Sequence, residues 1–106
     1  MDNKKIAFVE LKPATQKGKK YQAIFYNSEK KKLETLAFGA SGASDFTKNK
    51  DPKRKERYIE RHKDRENWSV PNTRGSLSRW ILWNKPTISG SFSDYLKRFN
   101  LKKLSK

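Results

Sequence analysis

The sequence predicts an α+β fold: an N-terminal three-stranded antiparallel meander followed by about three short helices packed on one face of it. Three observations predict this. Residues 5–38 hold three short β-branched and aromatic runs separated by turn chemistry. Residues 51–99 carry helix-start signals and apolar residues at helical spacing. At 106 residues and 12% aromatics, the chain is a single small basic domain, 1–106, whose sheet and helices must share one core.

Residues 5–12, Lys-Ile-Ala-Phe-Val-Glu-Leu-Lys, are apolar, partly β-branched and too short for a helix, so they predict a strand. Gly18 and the lysines around it make a turn. Residues 20–27 place Tyr21, Ala23 and Phe25 on one strand face. Asn27-Ser28-Glu29-Lys30 supplies the next turn, and residues 31–38 the third strand. Connections this short cannot hold a parallel crossover, so the strands run antiparallel. Gly39-Ala-Ser-Gly-Ala-Ser44 then leads from sheet to helices as a plain turn. It lacks the Lys-Ser/Thr ending of a phosphate-cradling loop.

Asp51-Pro52 starts a helix, because Asp accepts from the free first-turn amides and Pro at the first position loses no hydrogen bond. The helix should run to Asp64, with a thin inner stripe of Tyr58, Ile59 and His62. Ion pairs such as Glu56–Lys63 and Arg57–Glu60 should offset part of its charge. Residues 66–75 form a loop. Ser76 caps a second helix with Leu77, Trp80 and Ile81 at i, i+3, i+4; Trp83 falls off that stripe, and Asn84-Lys85-Pro86 ends the helix. Ser91-Phe-Ser-Asp94 opens a third, with Phe92, Tyr95, Leu96 and Phe99 at i, i+3, i+4, i+7. Residues 100–106 form a frayed basic tail. The predicted core is Tyr21, Phe25, Ile59, Trp80, Ile81, Tyr95, Leu96 and Phe99.

Charge points to function. Lys and Arg total 26 against 11 Asp and Glu, a formal net charge of +15. The absence of cysteine excludes disulfide scaffolds and Cys-ligated zinc, and His62, the only histidine, excludes a multi-His metal site. No apolar run approaches the ~20 residues that span a bilayer. Met1-Asp2-Asn3-Lys4-Lys5 has no apolar segment behind it, so it is not a secretory signal. The expected protein is soluble and not secreted, with no membrane partner.

All seven arginines lie between Arg54 and Arg98, whereas lysines cluster at turns (Lys17, Lys19, Lys20; Lys30, Lys31, Lys32) and in the tail (Lys102, Lys103, Lys106). Arginine presents a planar fork of donors suited to bidentate contact with phosphate. The expected nucleic-acid contacts are therefore Lys53, Arg54, Arg57, Arg61, Lys63 and Arg65, with Trp68 and Trp83 as the candidates for stacking on bases. Asp45, Asp51, Glu56, Glu60, Asp64 and Glu66 could in principle hold magnesium beside His62 as base. Their spacing fits capping and ion pairing better, so no enzyme, catalytic residue, metal or cofactor is expected.

A longer pattern runs through the chain: Phe-Gly-x-x-Gly-x-Ser-Asp-Phe-Thr (38–47), Lys-Asp-x-x-Arg-Lys (50–55), Arg-Tyr-Ile-x-Arg-His (57–62), Glu-Asn-Trp (66–68), Ser-Arg-Trp-Ile-Leu-Trp-Asn-Lys-Pro-Thr (78–87) and Arg-Phe (98–99). It resembles short, basic, largely uncharacterised proteins of nucleocytoplasmic large DNA viruses of algae and protists. The resemblance implies viral origin, one domain, and a place in the virion or the infected host cell; it brings no established chemistry. A virus with a large DNA genome needs charge neutralisation during packaging. The expected function is thus non-enzymatic nucleic-acid binding, DNA rather than RNA, through the phosphate backbone. The alternative is a minor capsid or virion component whose arginines meet acidic patches of other virion proteins.

Overall fold

The computed structural model describes residues 5–104; Met1 to Lys4, and Ser105 and Lys106 of the basic tail, lie outside the described residues. Strands β1 (Phe8–Pro13), β2 (Lys19–Tyr26) and β3 (Lys32–Ala40) form the antiparallel meander. Gly18, at φ 87°, closes the first turn in the left-handed region that glycine adopts without strain. The second turn is built on Asn27, whose Oδ1 accepts from the amides of Glu29 and Lys31, both at 2.9 Å. Register runs from Phe8↔Tyr26 to Pro13↔Tyr21 between β1 and β2, and a bulge interrupts β2 and β3 at Phe25/Tyr26.

The helices are α1 (Phe46–Asn49), α2 (Pro52–His62), α3 (Arg74–Leu77), which runs into a π-helical turn (Ser78–Leu82), and α4 (Ile88–Arg98). Alternation puts Val9, Ala23, Phe25 and Phe38 on one face of the sheet, and Leu77, Ile81, Leu82, Phe92 and Tyr95 pack against them. The fold is therefore α+β with helices on one sheet face. Tyr95 is fully buried and its hydroxyl donates to the Pro71 carbonyl at 2.8 Å, tying α4 to the loop before α3. No helix among the described residues is long and apolar enough to cross a membrane.

Several expectations need correction. The tail does not fray throughout: Lys102–Lys103 form β4, parallel to β1, and the sheet order is β3-β2-β1-β4. Asn100 turns the chain at φ 55°, Leu101 packs on the core, and the amides of Lys102 and Leu104 donate to the carbonyls of Ala7 and Val9 at 3.1 and 2.9 Å. The helix starts also move. Thr73, not Ser76, caps α3, accepting from the Ser76 amide at 3.0 Å; Thr87 caps α4, four residues before Ser91. Ser76 and Ser91 lie fully buried and satisfy loop backbone instead, Ser76 donating to the Asn67 carbonyl and Ser91 accepting from the Lys85 amide. A further short helix, the four-residue α1 capped by Asp45, follows the Gly-Ala-Ser turn.

The core differs in the same way. Phe25, Ile81 and Tyr95 are buried as expected, and Tyr21, Trp80, Leu96 and Phe99 pack partly buried around them. Ile59 lies outside this cluster, half-buried, because α2 turns Lys55, Tyr58 and His62 inward and leaves Ile59 at its flank. The π turn has a wider repeat than the α-helix, with the Trp83 amide donating to the Ser78 carbonyl at 3.0 Å. Ile81 and Leu82 are thereby both buried, and Trp83 meets α2.

Candidate nucleic-acid interface

Helix α2 is held rigidly by its inner face. The Asp51 carboxylate accepts from the Lys53 amide at 3.0 Å, and Pro52 occupies the first turn. Lys55 Nζ donates to the Asn84 carbonyl at 2.8 Å and sits 4.8 Å from the centre of the Phe46 ring. Burial, then the nearby Arg79 and Lys85 charges, hold the Lys55 ammonium below its ordinary range. Tyr58 is 8% exposed and stacks on Trp83 at 4.7 Å and on His62 at 4.2 Å. Burial pushes its phenol well above the usual tyrosine range. His62 Nδ1 lies 2.9 Å from the Tyr58 carbonyl, which identifies Nδ1 as the donor in the neutral ring.

The outer face is basic and exposed. Arg54, Arg57 and Arg61 fall at i, i+3, i+7, with Lys53 one turn before Arg57. Their side chains make no hydrogen bond or ion pair within the described residues. From Arg54 to Arg61 the stripe is about 10 Å long at 1.5 Å rise per residue. The other two expected contacts are engaged locally while remaining exposed. Lys63 Nζ pairs with Glu60 at 3.3 Å, and Arg65 donates twice to the Arg61 carbonyl, at 2.8 and 3.3 Å, closing the C-terminal end of α2. The expected Glu56–Lys63 and Arg57–Glu60 pairs are not formed among the described residues, since Glu60 takes Lys63. Glu56 and Glu60 border the stripe on the side of Lys53 and Arg57.

The two tryptophans singled out by the sequence separate. Trp83 lies nearly parallel to Tyr58, 7° between planes, so one of its faces is used inside the fold. Trp68 donates from Nε1 to Glu66 at 2.7 Å and lines an open groove of about 460 Å³ with Ser69, Trp80, Arg98 and Phe99. Trp80, taken from its spacing as core, is half-buried. The Arg98 and Arg79 guanidinium groups lie 3.7 and 4.2 Å from its ring centre. No local spacing signals this, since neighbours in a helix do not face each other and Arg98 comes from a different helix, α4.

Acidic side chains serve the scaffold. Asp45 caps α1 and pairs with Lys20, Asp51 caps α2, and Glu66 accepts from Trp68. Among the described residues no three acidic or histidine side chains converge as metal ligands. A cleft of about 400 Å³ opens where the sheet meets α2 and α3, lined by Lys19, Lys20, Asp45, His62, Glu66 and Arg74 among others. Its charges are mixed, and Asp45 and Lys20 neutralise one another.

Neither the curated proteins nor the solved structures contain a match to the chain. The Phe38–Asp45 junction, Tyr58, His62 and the whole of α2 fall within residues 9–62, which match a family of unknown function (DUF5754); with just over half of its length covered, the chain belongs to that family.

Proposed function

We propose that the protein binds nucleic acid without acting on it chemically, DNA rather than RNA, by laying the exposed face of α2 along the phosphate backbone. The observation that supports this is the free basic stripe of Lys53, Arg54, Arg57 and Arg61 on a helix whose opposite face is fastened to the fold. Such a stripe is preorganised, so less side-chain and backbone order is lost on contact. Duplex DNA carries one charge per ~1.7 Å of axis, so a 10 Å stripe faces several phosphates. The net charge of +15 adds long-range attraction. The contacts position the protein and carry no base code, which suits charge neutralisation during packaging of a large viral DNA genome.

The test is duplex binding across a salt series. A linear fall of log affinity with log salt concentration is expected. No binding at low salt would sink the reading. If the protein instead co-purified with acidic virion proteins, the arginines would be assigned to protein contacts.

A further inference from the structure

The groove beside Trp68 differs in chemistry from the α2 stripe. Its walls are the rings of Trp68, Trp80 and Phe99, with Ser69 and the Arg98 guanidinium at its margin. Both indole N–H groups are already committed: Trp68 Nε1 to Glu66 at 2.7 Å, and Trp80 Nε1 to the Trp68 carbonyl at 2.9 Å. The rings are thus locked in orientation by bonds at their edges, and what they offer to the groove is ring surface. Trp80 is braced by Arg79, which also lies 5.5 Å from the Trp68 ring.

The charge at this place is out of balance. Arg79 and Arg98 share one indole and one carboxylate, Asp94, which accepts from Arg98 at 3.2 Å and from Asn84 at 2.8 Å on the same oxygen. One guanidinium charge is therefore left over. Arg79 is half-buried and donates to the Trp83 carbonyl at 2.8 Å without an acidic partner, while the more exposed Arg98 spends one N–H on Asp94 and keeps its other donors for a further acceptor. A locked aromatic wall beside two guanidinium groups that have one carboxylate between them is complementary to a planar ring that carries an anion.

We propose that this groove holds an unpaired nucleobase of a single-stranded polynucleotide, stacked on Trp68, with its phosphate on Arg98. A base in a duplex cannot enter, because its faces are already stacked. The site rests on the nucleic-acid reading above and extends it from backbone contact to recognition of unpaired strand. Trp83 supports α2 by close stacking on Tyr58 at 4.7 Å, whereas Trp68 lies nearly parallel to the same ring at the longer distance of 6.4 Å and also lines the groove.

The experiment uses the whole chain and oligothymidylate, with a duplex of matched length as comparison. Quenching of tryptophan emission by the single strand, and much less by the duplex, is expected. Trp68→Leu should weaken single-strand binding by roughly 5- to 150-fold, the value of one base stacked on an aromatic ring. Trp68→Phe keeps a ring and should retain most of the affinity; Arg98→Gln should weaken binding and flatten its salt dependence. Far-ultraviolet circular dichroism identifies any variant that has lost its fold, and Trp68→Phe and Arg98→Gln remain informative if Trp68→Leu has. Unchanged single-strand affinity in the folded Trp68→Leu and Arg98→Gln proteins would overturn the groove while leaving duplex binding by α2 intact. Loss of duplex binding with quenching preserved would overturn the α2 stripe and leave the groove. Equal competition by polyglutamate, lost in Arg98→Gln but not in Trp68→Leu, would also overturn it, because such a site would need charge but no ring.

Discussion

Asp45 and Lys20 form an ion pair at the seam between sheet and helices, with side chains only 3% and 9% exposed. Asp45 also accepts from the Thr47 amide at 2.9 Å, so one carboxylate both starts α1 and fastens it to β2. Asp45→Ala would leave the Lys20 ammonium buried without its partner. A loss of about 3–5 kcal/mol is expected, measured by urea unfolding. The double change Lys20→Met with Asp45→Asn should recover part of that loss, since it removes both charges and keeps a cap. No recovery would mean that the cap and not the pair dominates.

Two glycines with similar backbone angles should respond differently to alanine. Gly18 and Gly39 lie at φ 87° and 78°, so each alanine carries the left-handed cost of about 1–2 kcal/mol. A Cβ at Gly18 meets open space, whereas one at Gly39 would come within 2.8 Å of Leu82 Cδ1. Gly39→Ala should lose about 1–3 kcal/mol more than Gly18→Ala from this overpacking. Equal losses in thermal or urea unfolding would show that Leu82 moves aside freely.

Alkaline pH should unfold the protein through its buried phenols. Burial raises the Tyr95 and Tyr58 values above the ordinary 10.0. A raised folded value means that stability is fully present below pH 10 and falls as pH rises past it, when the unfolded chain releases protons that the folded chain keeps. Each phenol contributes a slope approaching about 1.4 kcal/mol per pH unit in that window. Lys55, lowered from 10.5, opposes part of this just below that pH. Tyr95→Phe should make the alkaline fall shallower, and should also lose about 1–2 kcal/mol at neutral pH because the buried Pro71 carbonyl loses its donor. An unchanged pH profile would show that Tyr95 ionises within the folded state.

The arginine stripe predicts a difference between two triple variants of equal charge. Replacing Arg54, Arg57 and Arg61 by Ala should reduce the salt slope of duplex binding by roughly 2–3. Replacing Lys30, Lys31 and Lys32, which lie at and beside the β2–β3 turn, should change it by less. Equal losses would assign binding to diffuse attraction.

The meander was legible because Tyr21, Ala23 and Phe25 alternate and Asn27 supplies turn chemistry; α2 was legible because Asp51-Pro52 is a strong start. Strand β4 was not, since Lys102 and Lys103 have no apolar alternation and their pairing depends on Asn100 and Leu101. Threonine and serine cap by the same chemistry, serine slightly better, so Thr73 could not be preferred to Ser76 without knowing where the chain enters the helix. Trp83 fell off the stripe because a period of 3.6 does not describe a π turn. The stacking of Trp83 on Tyr58 and the placing of Arg98 on Trp80 are tertiary contacts, which no local spacing encodes. The exposed face of α2 could be read in advance because helical periodicity alone sets it.

The Arg74 Nε donates to the Ala37 carbonyl at 3.0 Å, on the outer side of β3, while the opposite margin of the sheet is the two-residue, all-lysine β4. The β4 margin is thus a poor template for another strand, being short and charged, and on β3 the Ala37 carbonyl is already taken. This matters most when the protein is doing what is proposed for it. A polyanion cancels the mutual repulsion that keeps +15 molecules apart and brings many copies side by side. In the proposed role, a short, charged sheet margin would disfavour pairing between the sheets of neighbouring copies.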